Sequence, residues 1–192
     1  MNGYGRWIDR RGAALALVAL MVMGMGMLLS TNCRAATARE LNVSVDETLK
    51  QFRQQVAGGA EFLKSAEGVL VFPSVVKAGF GIGGEYGEGA LRIKGKTVGY
   101  YNIAGASIGF QLGAQARSVI VAFMQQKALN DFRSSSGWKV GVDGSVALVN
   151  VGAGKSLDTL DIRAPIVGFV FGTKGLMYNL TLEGTKISKM DK

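Results

Sequence analysis

Lysines and arginines at regular spacing are the residues of this chain best suited to bind a ligand. Arg92, Lys94 and Lys96 alternate along a strand and its turn, so we expect them to project to one side. Each basic side chain is worth about 1 kcal/mol near an anionic surface, although each is also an ordinary solvated charge. As a set they predict binding of negatively charged ligands with a steep dependence on salt. The candidates are Lys50, Arg53, Lys64, Lys77, Arg92, Lys94 and Lys96.

The overall composition favours binding over catalysis. The chain has 22 Lys and Arg against 14 Asp and Glu, a formal net charge of +8. A basic surface attracts anionic lipid headgroups, nucleic acid or acidic polysaccharide, and charge alone does not choose among them. Histidine is absent, Cys33 is the only cysteine, and no nucleophile has a paired base. We therefore predict that the protein is not an enzyme and has no metal site and no cofactor.

Residues 79–84 fit the G-x-G-x-x-G pattern of dinucleotide-binding turns. That site needs the string to lead from a strand into a helix, with an acidic residue about 20 positions later. Here no Asp or Glu occurs between Glu88 and Asp131. We interpret the run instead as a strand whose alternate glycines leave one face bare, so that the sheet can bend sharply or approach another backbone. Glu85 and Glu88 are predicted to line a loop.

The first 32 residues resemble a secretory signal, because three arginines precede an uncharged apolar run over residues 13–29. The Leu-Ser-Thr-Asn-Cys segment that ends at Cys33 resembles a lipobox. It predicts cleavage before Cys33 and acylation of that residue, which would anchor the protein in a membrane. One alternative is cleavage after Ala38 at an A-x-A site, which would release a soluble protein. Another is a retained N-terminal membrane anchor.

The mature chain is predicted to begin with a tether and an amphipathic helix. Residues 33–43 are small and polar, and Ser44 with Glu47 forms a capping box that predicts the helix start. The Gly58-Gly59 pair predicts a break in the helix. Apolar side chains recur at spacings of three and four and form one stripe, which either packs on the protein's own sheet or inserts into a membrane. The stripe consists of Leu49, Phe52, Val56, Ala60 and Leu63.

Beyond residue 68, short apolar and β-branched runs separated by glycines predict strands. These runs are 69–72, 78–84, 89–94, 97–104, 107–112, 118–123, 138–150, 165–173, 176–182 and 185–188. Gly95 and Asp143-Gly144 predict tight hairpins, and residues 124–134 predict a helix. The predicted fold class is α+β, with a strongly curved, barrel-like, mostly antiparallel sheet, an N-terminal amphipathic helix and one or two further helices.

Several blocks of the sequence resemble, in order, the signature of the SYLF-domain family. The most specific is EGVLVFPSVVKAGFGIGGEYGEGAL at residues 67–91. The resemblance continues with ASIGFQLGAQA at 106–116, VGVDGSVALV at 140–149 and KGLMYNLTLEGTKIS at 174–188, and it covers nearly all of residues 45–190. One departure is YYNIA at residues 100–104, where relatives often have a Trp-Ser-x-Pro string.

The resemblance implies a lipid-binding domain without catalysis. Eukaryotic relatives bind phosphoinositides through basic residues and an N-terminal helix, and some also bind actin. We expect an anionic-lipid surface to be the property that transfers to this chain. The resulting prediction is a signal peptide over residues 1–32, a tether over 33–43 and a SYLF-like domain over 44–192 that binds phosphoinositide-like headgroups.

The alternative is a structural or adhesive envelope lipoprotein that binds an envelope or host protein. No nucleic-acid partner is expected for an exported bacterial protein. We predict an outer-membrane-anchored lipoprotein that faces the periplasm or the cell surface, and the alternative location is soluble, in the periplasm or secreted. Comparing capture by anionic vesicles with capture by envelope proteins separates the two functions.

Overall fold

Among the residues that the computed structural model describes, two helices precede a long β-hairpin, and a third helix and four strands follow it. The described residues are 36–150, 164–175, 182 and 184–192. The predicted signal, Cys33 and most of the predicted strand 176–182 lie outside them. The elements are α1 (Ala38–Gln55), α2 (Gly59–Ser65), β1 (Gly68–Ile93), β2 (Lys96–Phe123), α3 (Gln126–Ser134), β3 (Trp138–Lys139), β4 (Ala147–Asn150), β5 (Ile166–Gly175) and β6 (Lys186–Met190).

β1 and β2 form one antiparallel hairpin whose turn lies where the sequence predicted it. Ile93 pairs with Lys96, so the turn has two residues, Lys94 at φ 49° and Gly95 at φ 78°. Positive φ at both positions matches the twist of hairpin strands, and glycine adopts it without steric cost. The short strands predicted between residues 69 and 123 are continuous in the structure, because their glycines bend the chain instead of ending the strands.

The glycine run bends β1 back toward itself. A Cβ at Gly79 would lie 2.4 Å from Gly83 Cα, and one at Gly89 would lie 2.3 Å from Val71 O. The two halves of β1 therefore approach so closely that an added side chain would clash. The predicted α+β fold with a strongly curved sheet is confirmed.

β1 is one continuous strand, and this tests the two predictions made for residues 79–88. The strand runs through residues 79–84 and does not turn into a helix, so the glycines lack the geometry of a dinucleotide site. Glu85 and Glu88 also lie in β1, and the predicted loop is wrong. A loop would have exposed both carboxylates, whereas the bent strand buries Glu85.

The remaining strands extend the sheet from the second edge of β2. The order is β3-β6-β2-β5-β4, and β1 pairs with β2 on the other side. β6 pairs with the first half of β2 and β5 with its second half, both antiparallel, whereas β4 runs parallel to β5. The described ladders are therefore mostly antiparallel, as predicted.

The hairpin predicted at Asp143-Gly144 is not formed. β3 pairs with β6 and β4 pairs with β5, so the two strands that flank this turn do not pair with each other. The Val140 N–H donates to Thr185 O, which ties the end of β3 to the β6 side of the sheet. Gly141, at φ 85°, then turns the chain away.

Helix α1 begins at Ala38, six residues before the predicted start at Ser44. Two capping boxes compete in the sequence, and the upstream one is used: Glu40 N–H donates to Thr37 Oγ1 at 3.3 Å, and Thr37 N–H donates to Glu40 Oε2 at 2.8 Å. Ser44 Oγ instead donates to Glu40 O within the helix. Part of the predicted tether is therefore helical. The predicted break is confirmed, because Gly58 at φ 76° separates α1 from α2.

Apolar clusters cover both faces of the sheet. On one face α3 packs with Phe132 against Phe123, at 4.8 Å between ring centroids. On the other face α1 and α2 pack on β1, β2 and β5, with Phe52 against Phe169 at 4.9 Å. Burying a side chain such as Phe52 contributes about 1.5–3 kcal/mol. The apolar stripe of the first helix therefore packs on the protein's own sheet. None of the helices in the described ranges combines the length and the apolar character needed to cross a bilayer.

Candidate functional site

A cleft of about 650 Å³ lies where α1, α2 and the β1–β2 turn meet. Its volume is in the range of small-molecule and cofactor sites. The helix break at Gly58 positions α2 beside α1, and the hairpin turn supplies the facing wall. The lining residues are Asp46, Leu49, Arg53, Ala60, Leu63, Lys64, Ala66, Val69, Arg92, Lys94 and Gly95.

The cleft combines an apolar lining with exposed cations. Leu49, Leu63 and Val69 belong to the apolar cluster under α1 and α2. Arg53 and Lys94 are exposed, and neither forms an ion pair with another described residue. Such a surface suits a ligand that is both apolar and anionic.

Lys64 adds a third exposed cation to the cleft. Its Nζ lies 3.1 Å from Glu61 Oε1, but both side chains are largely exposed. Exposed pairs of this kind are weak and are screened by salt. An anionic ligand can therefore compete with Glu61 for Lys64.

Arg92 is the most buried cation of the cleft, with 13% of its side chain exposed. Its Nη2 donates to Asp46 Oδ1 at 2.7 Å and to Asn42 O at 3.3 Å. Its Nε is buried and has no hydrogen-bond acceptor among the described residues. A buried donor without an acceptor destabilises the folded state.

Asn42 fixes α1 to the hairpin and thereby holds the cleft in shape. Its Nδ2 donates to Tyr100 Oη at 2.9 Å, and its Oδ1 accepts from Thr97 Oγ1 at 2.7 Å. Both contacts join α1 to the first residues of β2, next to the turn that carries Lys94. The walls of the cleft are therefore positioned by specific polar contacts as well as by apolar packing.

The structure brings together some of the predicted cations and separates others. Arg53, Lys64, Arg92 and Lys94 line the cleft. Lys50 is exposed on α1 with its Nζ 4.0 Å from Glu47 Oε2, and Lys96 is exposed beyond the turn; neither lines the cleft. Lys77 lies in the interior with 3% of its surface exposed, so we do not include it in a surface site.

A second polar group, on the opposite face of the sheet from the cleft, was not foreseen. Glu85 Oε2 lies 2.8 Å from Arg117 Nη2, and their side chains are 5% and 0% exposed. Burial raises the pKa of Glu85 above its ordinary 4.5, and the charges of Arg117 and Lys77 oppose that rise. Burial also lowers the pKa of Arg117. Sequence reasoning missed this pair because 32 residues separate its members and no local pattern marks the contact.

The described residues form an α+β domain that carries a basic, apolar-lined cleft. Residues 104–192 match the family model described as Ysc84, Las17-binding protein actin regulator. This is the SYLF family, and the match agrees with the family indicated by the sequence motifs. It is a family of binding domains and not a known family of enzymes. The matched residues begin within β2, so the cleft lies outside them. No curated protein matches the chain.

Proposed function

We propose that this domain binds anionic phospholipids at the basic cleft and performs no chemistry on them. The observation that carries the proposal is the convergence of Arg53, Lys64, Arg92 and Lys94 on one apolar-lined cleft. A phospholipid has the same two parts, a phosphate for the cations and acyl chains for the apolar lining. The association of the SYLF family with lipid binding supports the same conclusion.

A headgroup with more than one phosphate, as in phosphoinositides, suits this cleft best. Three exposed cations surround it, and Arg92 adds a fourth, mostly buried, positive charge to its wall. A singly charged headgroup would leave part of this charge without a partner, whereas each added phosphate gains a further contact. Affinity should therefore rise with the number of headgroup phosphates.

The location that fits this role is the cell envelope, with residues 1–32 as an export signal and Cys33 as an acylated anchor. The capping box of α1 supports processing upstream of Thr37, because cleavage after Ala38 would remove the Thr37 cap. Loss of a helix cap costs about 1 kcal/mol. Mass spectrometry of the mature N-terminus tests this: we expect an acylated Cys33, and a chain that starts at Arg39 would contradict it.

Vesicle binding by a charge-neutralised cleft variant tests the proposed site. All proteins carry Cys33→Ser, so that an acyl anchor cannot supply the binding. The test variant is Arg53→Gln, Lys64→Gln and Lys94→Asn, where Asn is chosen because it tolerates the positive φ at that position. At about 1 kcal/mol per cation, we expect affinity for acidic vesicles at low salt to fall about a hundred-fold.

The matched control removes three exposed cations elsewhere, with Lys127→Gln, Arg133→Gln and Lys139→Gln. It changes the net charge equally but leaves the cleft intact, so we expect a much smaller loss. Equal losses in both variants would show that only net charge matters and would contradict the cleft. Failure of the parent protein to bind acidic vesicles at low salt would contradict lipid binding itself.

A protein-binding role in the envelope is the second candidate, because the description of the matched family names a protein partner, Las17. Cross-linking of envelope extracts to the purified protein, compared with capture by acidic vesicles, distinguishes the two. Specific capture of one envelope protein that survives the cleft variant, together with no vesicle binding, would favour this second role.

A further inference from the structure

The middle of the β1–β2 hairpin has polar side chains on its inside and apolar side chains on its outside. Lys77 and Glu85 in β1, and Gln115 and Arg117 in β2, are each at most 9% exposed. Side chains alternate between the two faces of a strand, and the described residues of the other face are all apolar or glycine. They are Val76, Ala78, Ile82, Gly84, Tyr86, Ala104, Ala106, Ala114 and Ala116. This set is named the outer face below.

The large side chains of the outer face are in contact with solvent. The exposed fraction is 49% for Val76, 74% for Ile82 and 50% for Tyr86. Val76 pairs with Ala116 and Tyr86 with Ala104, so the apolar surface extends over both strands. A sheet that faces water on one side normally carries polar residues there and apolar residues inside. A connected apolar surface of this kind marks a site of interaction.

The reversed pattern is typical of a sheet face in contact with lipid. Such strands carry apolar residues outward and polar residues inward, because hydrocarbon cannot solvate polar groups. Tyr86 suits the boundary between acyl chains and headgroups, since its ring is apolar and its hydroxyl is polar. The Tyr86 hydroxyl donates to Glu88 Oε1 at 3.0 Å, which marks the polar end of the outer face.

Lysines border the outer face and match the charge of an acidic membrane. Lys174 is exposed on β5, opposite Ala116. Lys186 is exposed on β6, opposite Ala104. Neither lysine forms an ion pair with another described residue. Glu88, at the end of the face, is 13% exposed and is itself in an ion pair. Lysines in such positions reach the headgroups while their apolar neighbours contact the acyl chains.

We propose that the outer face inserts into the interfacial layer of a phospholipid bilayer, with Ile82 and Tyr86 among the acyl chains and the two bordering lysines at the headgroups. This is a second membrane contact, because none of its residues lines the cleft. It rests on the proposed function only in taking a bilayer as the partner. Attraction at the cleft is weakened by salt, whereas burial of apolar side chains is not.

A fluorescent label at residue 82 tests the insertion directly. Ile82→Cys in the Cys33→Ser background carries a polarity-sensitive dye, and the acidic vesicles contain phospholipids with brominated acyl chains, which quench a dye inside the bilayer. We expect a blue shift and strong quenching. Val142→Cys is the matched control, because Val142 is also 74% exposed but lies outside the outer face. Its dye should remain in water.

Ile82→Ser tests the contribution of the outer face to affinity without a change in charge. Losing the burial of one such side chain should lower affinity for acidic vesicles about ten-fold, and high salt should not remove the difference. Val142→Ser is the control and should bind as the parent does. Both side chains are exposed, so an unchanged Tm is expected for each variant.

The outcomes separate this proposal from the proposed cleft. Equal dye responses at residues 82 and 142 in vesicle-bound protein would overturn it, and so would unchanged affinity of Ile82→Ser; neither result would contradict the cleft. A dye at residue 82 that is already shielded without vesicles would show that a second copy of the chain covers the face, and would also overturn it. If the cleft variant binds as the parent does and the dye at residue 82 is still quenched, the outer face is supported and the cleft is contradicted. No binding of the parent to acidic vesicles would overturn both.

Discussion

The cleft and the buried Glu85–Arg117 pair both combine cationic side chains with a carboxylate, yet the fold gives them opposite properties. In the cleft, Arg53, Lys64 and Lys94 are exposed and can exchange partners with little change in stability. In the interior, Arg117 and Glu85 are almost fully buried, so their charges are tied to the fold itself. Under the proposed function, the same residue types therefore serve recognition in one place and structure in the other. Solvent access causes this difference, because water screens exposed charges and a protein interior does not.

The largest expected effect comes from Arg117→Met, which removes the counter-charge of Glu85. Leaving a buried carboxylate without its partner should cost about 3–5 kcal/mol in the free energy of unfolding at neutral pH. The sign of the pH dependence follows from the raised pKa of Glu85: the folded state holds the proton more tightly than the unfolded chain does. The cost should therefore shrink as the pH falls through the native pKa toward 4.5.

Denaturant titrations at several pH values measure this. Lys127→Met is the matched control, because Lys127 pairs with Asp131 at 2.6 Å but its side chain is 84% exposed. We expect no measurable loss there. A similar loss in both variants, or a cost for Arg117→Met that does not change with pH, would remove the distinction between buried and exposed pairs.

The next largest effect tests whether the close contact between the two halves of β1 contributes to stability. Gly89→Ala places a Cβ 2.3 Å from Val71 O and 2.6 Å from Phe72 Cδ1, so part of the bent strand must move. We expect a loss of about 1–3 kcal/mol in the free energy of unfolding, as for other overpacked cores. Gly84→Ala is the control within the same strand, since the nearest atom to its Cβ would be Gly105 O at 3.7 Å. Equal stability of the two variants would show that β1 is not held in this bend.

Local signals in the sequence were sufficient for some of these features. The turn at Gly95, the break at Gly58 and the helix α3 each depend on a few neighbouring residues, and each was predicted. Glycine spacing also indicated a bent sheet. The cations on α1 and the hairpin were recognisable for the same reason, because helix and strand periodicities are local.

Features that depend on distant contacts were not predicted. The start of α1 was misplaced because Thr37–Glu40 and Ser44–Glu47 both satisfy the capping pattern, and only packing chooses between them. The hairpin at Asp143-Gly144 was wrong because its flanking strands pair with β5 and β6 instead. Periodicity could not show that Lys77 lies inside while Lys94 lines the cleft, since both positions depend on contacts with residues distant in the sequence.

The smallest expected effect is a gain, from Asp46→Asn in the cleft. Asp46 is the one acid among the described lining residues, and it lies 2.7 Å from Arg92 Nη2. Asparagine keeps an oxygen that can accept the Arg92 hydrogen bond but removes the negative charge, so the cleft becomes more positive by one unit. We expect about five-fold tighter binding to acidic vesicles at low salt, from about 1 kcal/mol of added attraction. Stability should hardly change, because the Asp46 side chain is 67% exposed.

Asp131→Asn on α3 is the control, because it changes the net charge of the protein by the same amount but Asp131 does not line the cleft. It also breaks an exposed ion pair with Lys127. If the cleft is the lipid site, this control should gain clearly less affinity than Asp46→Asn, and the difference should vanish as salt screens the added charge. Equal gains would mean that the vesicle responds to the whole protein's charge. The cleft would then not be a specific recognition site. Its cations would differ from the buried Arg117 only in their exposure to solvent.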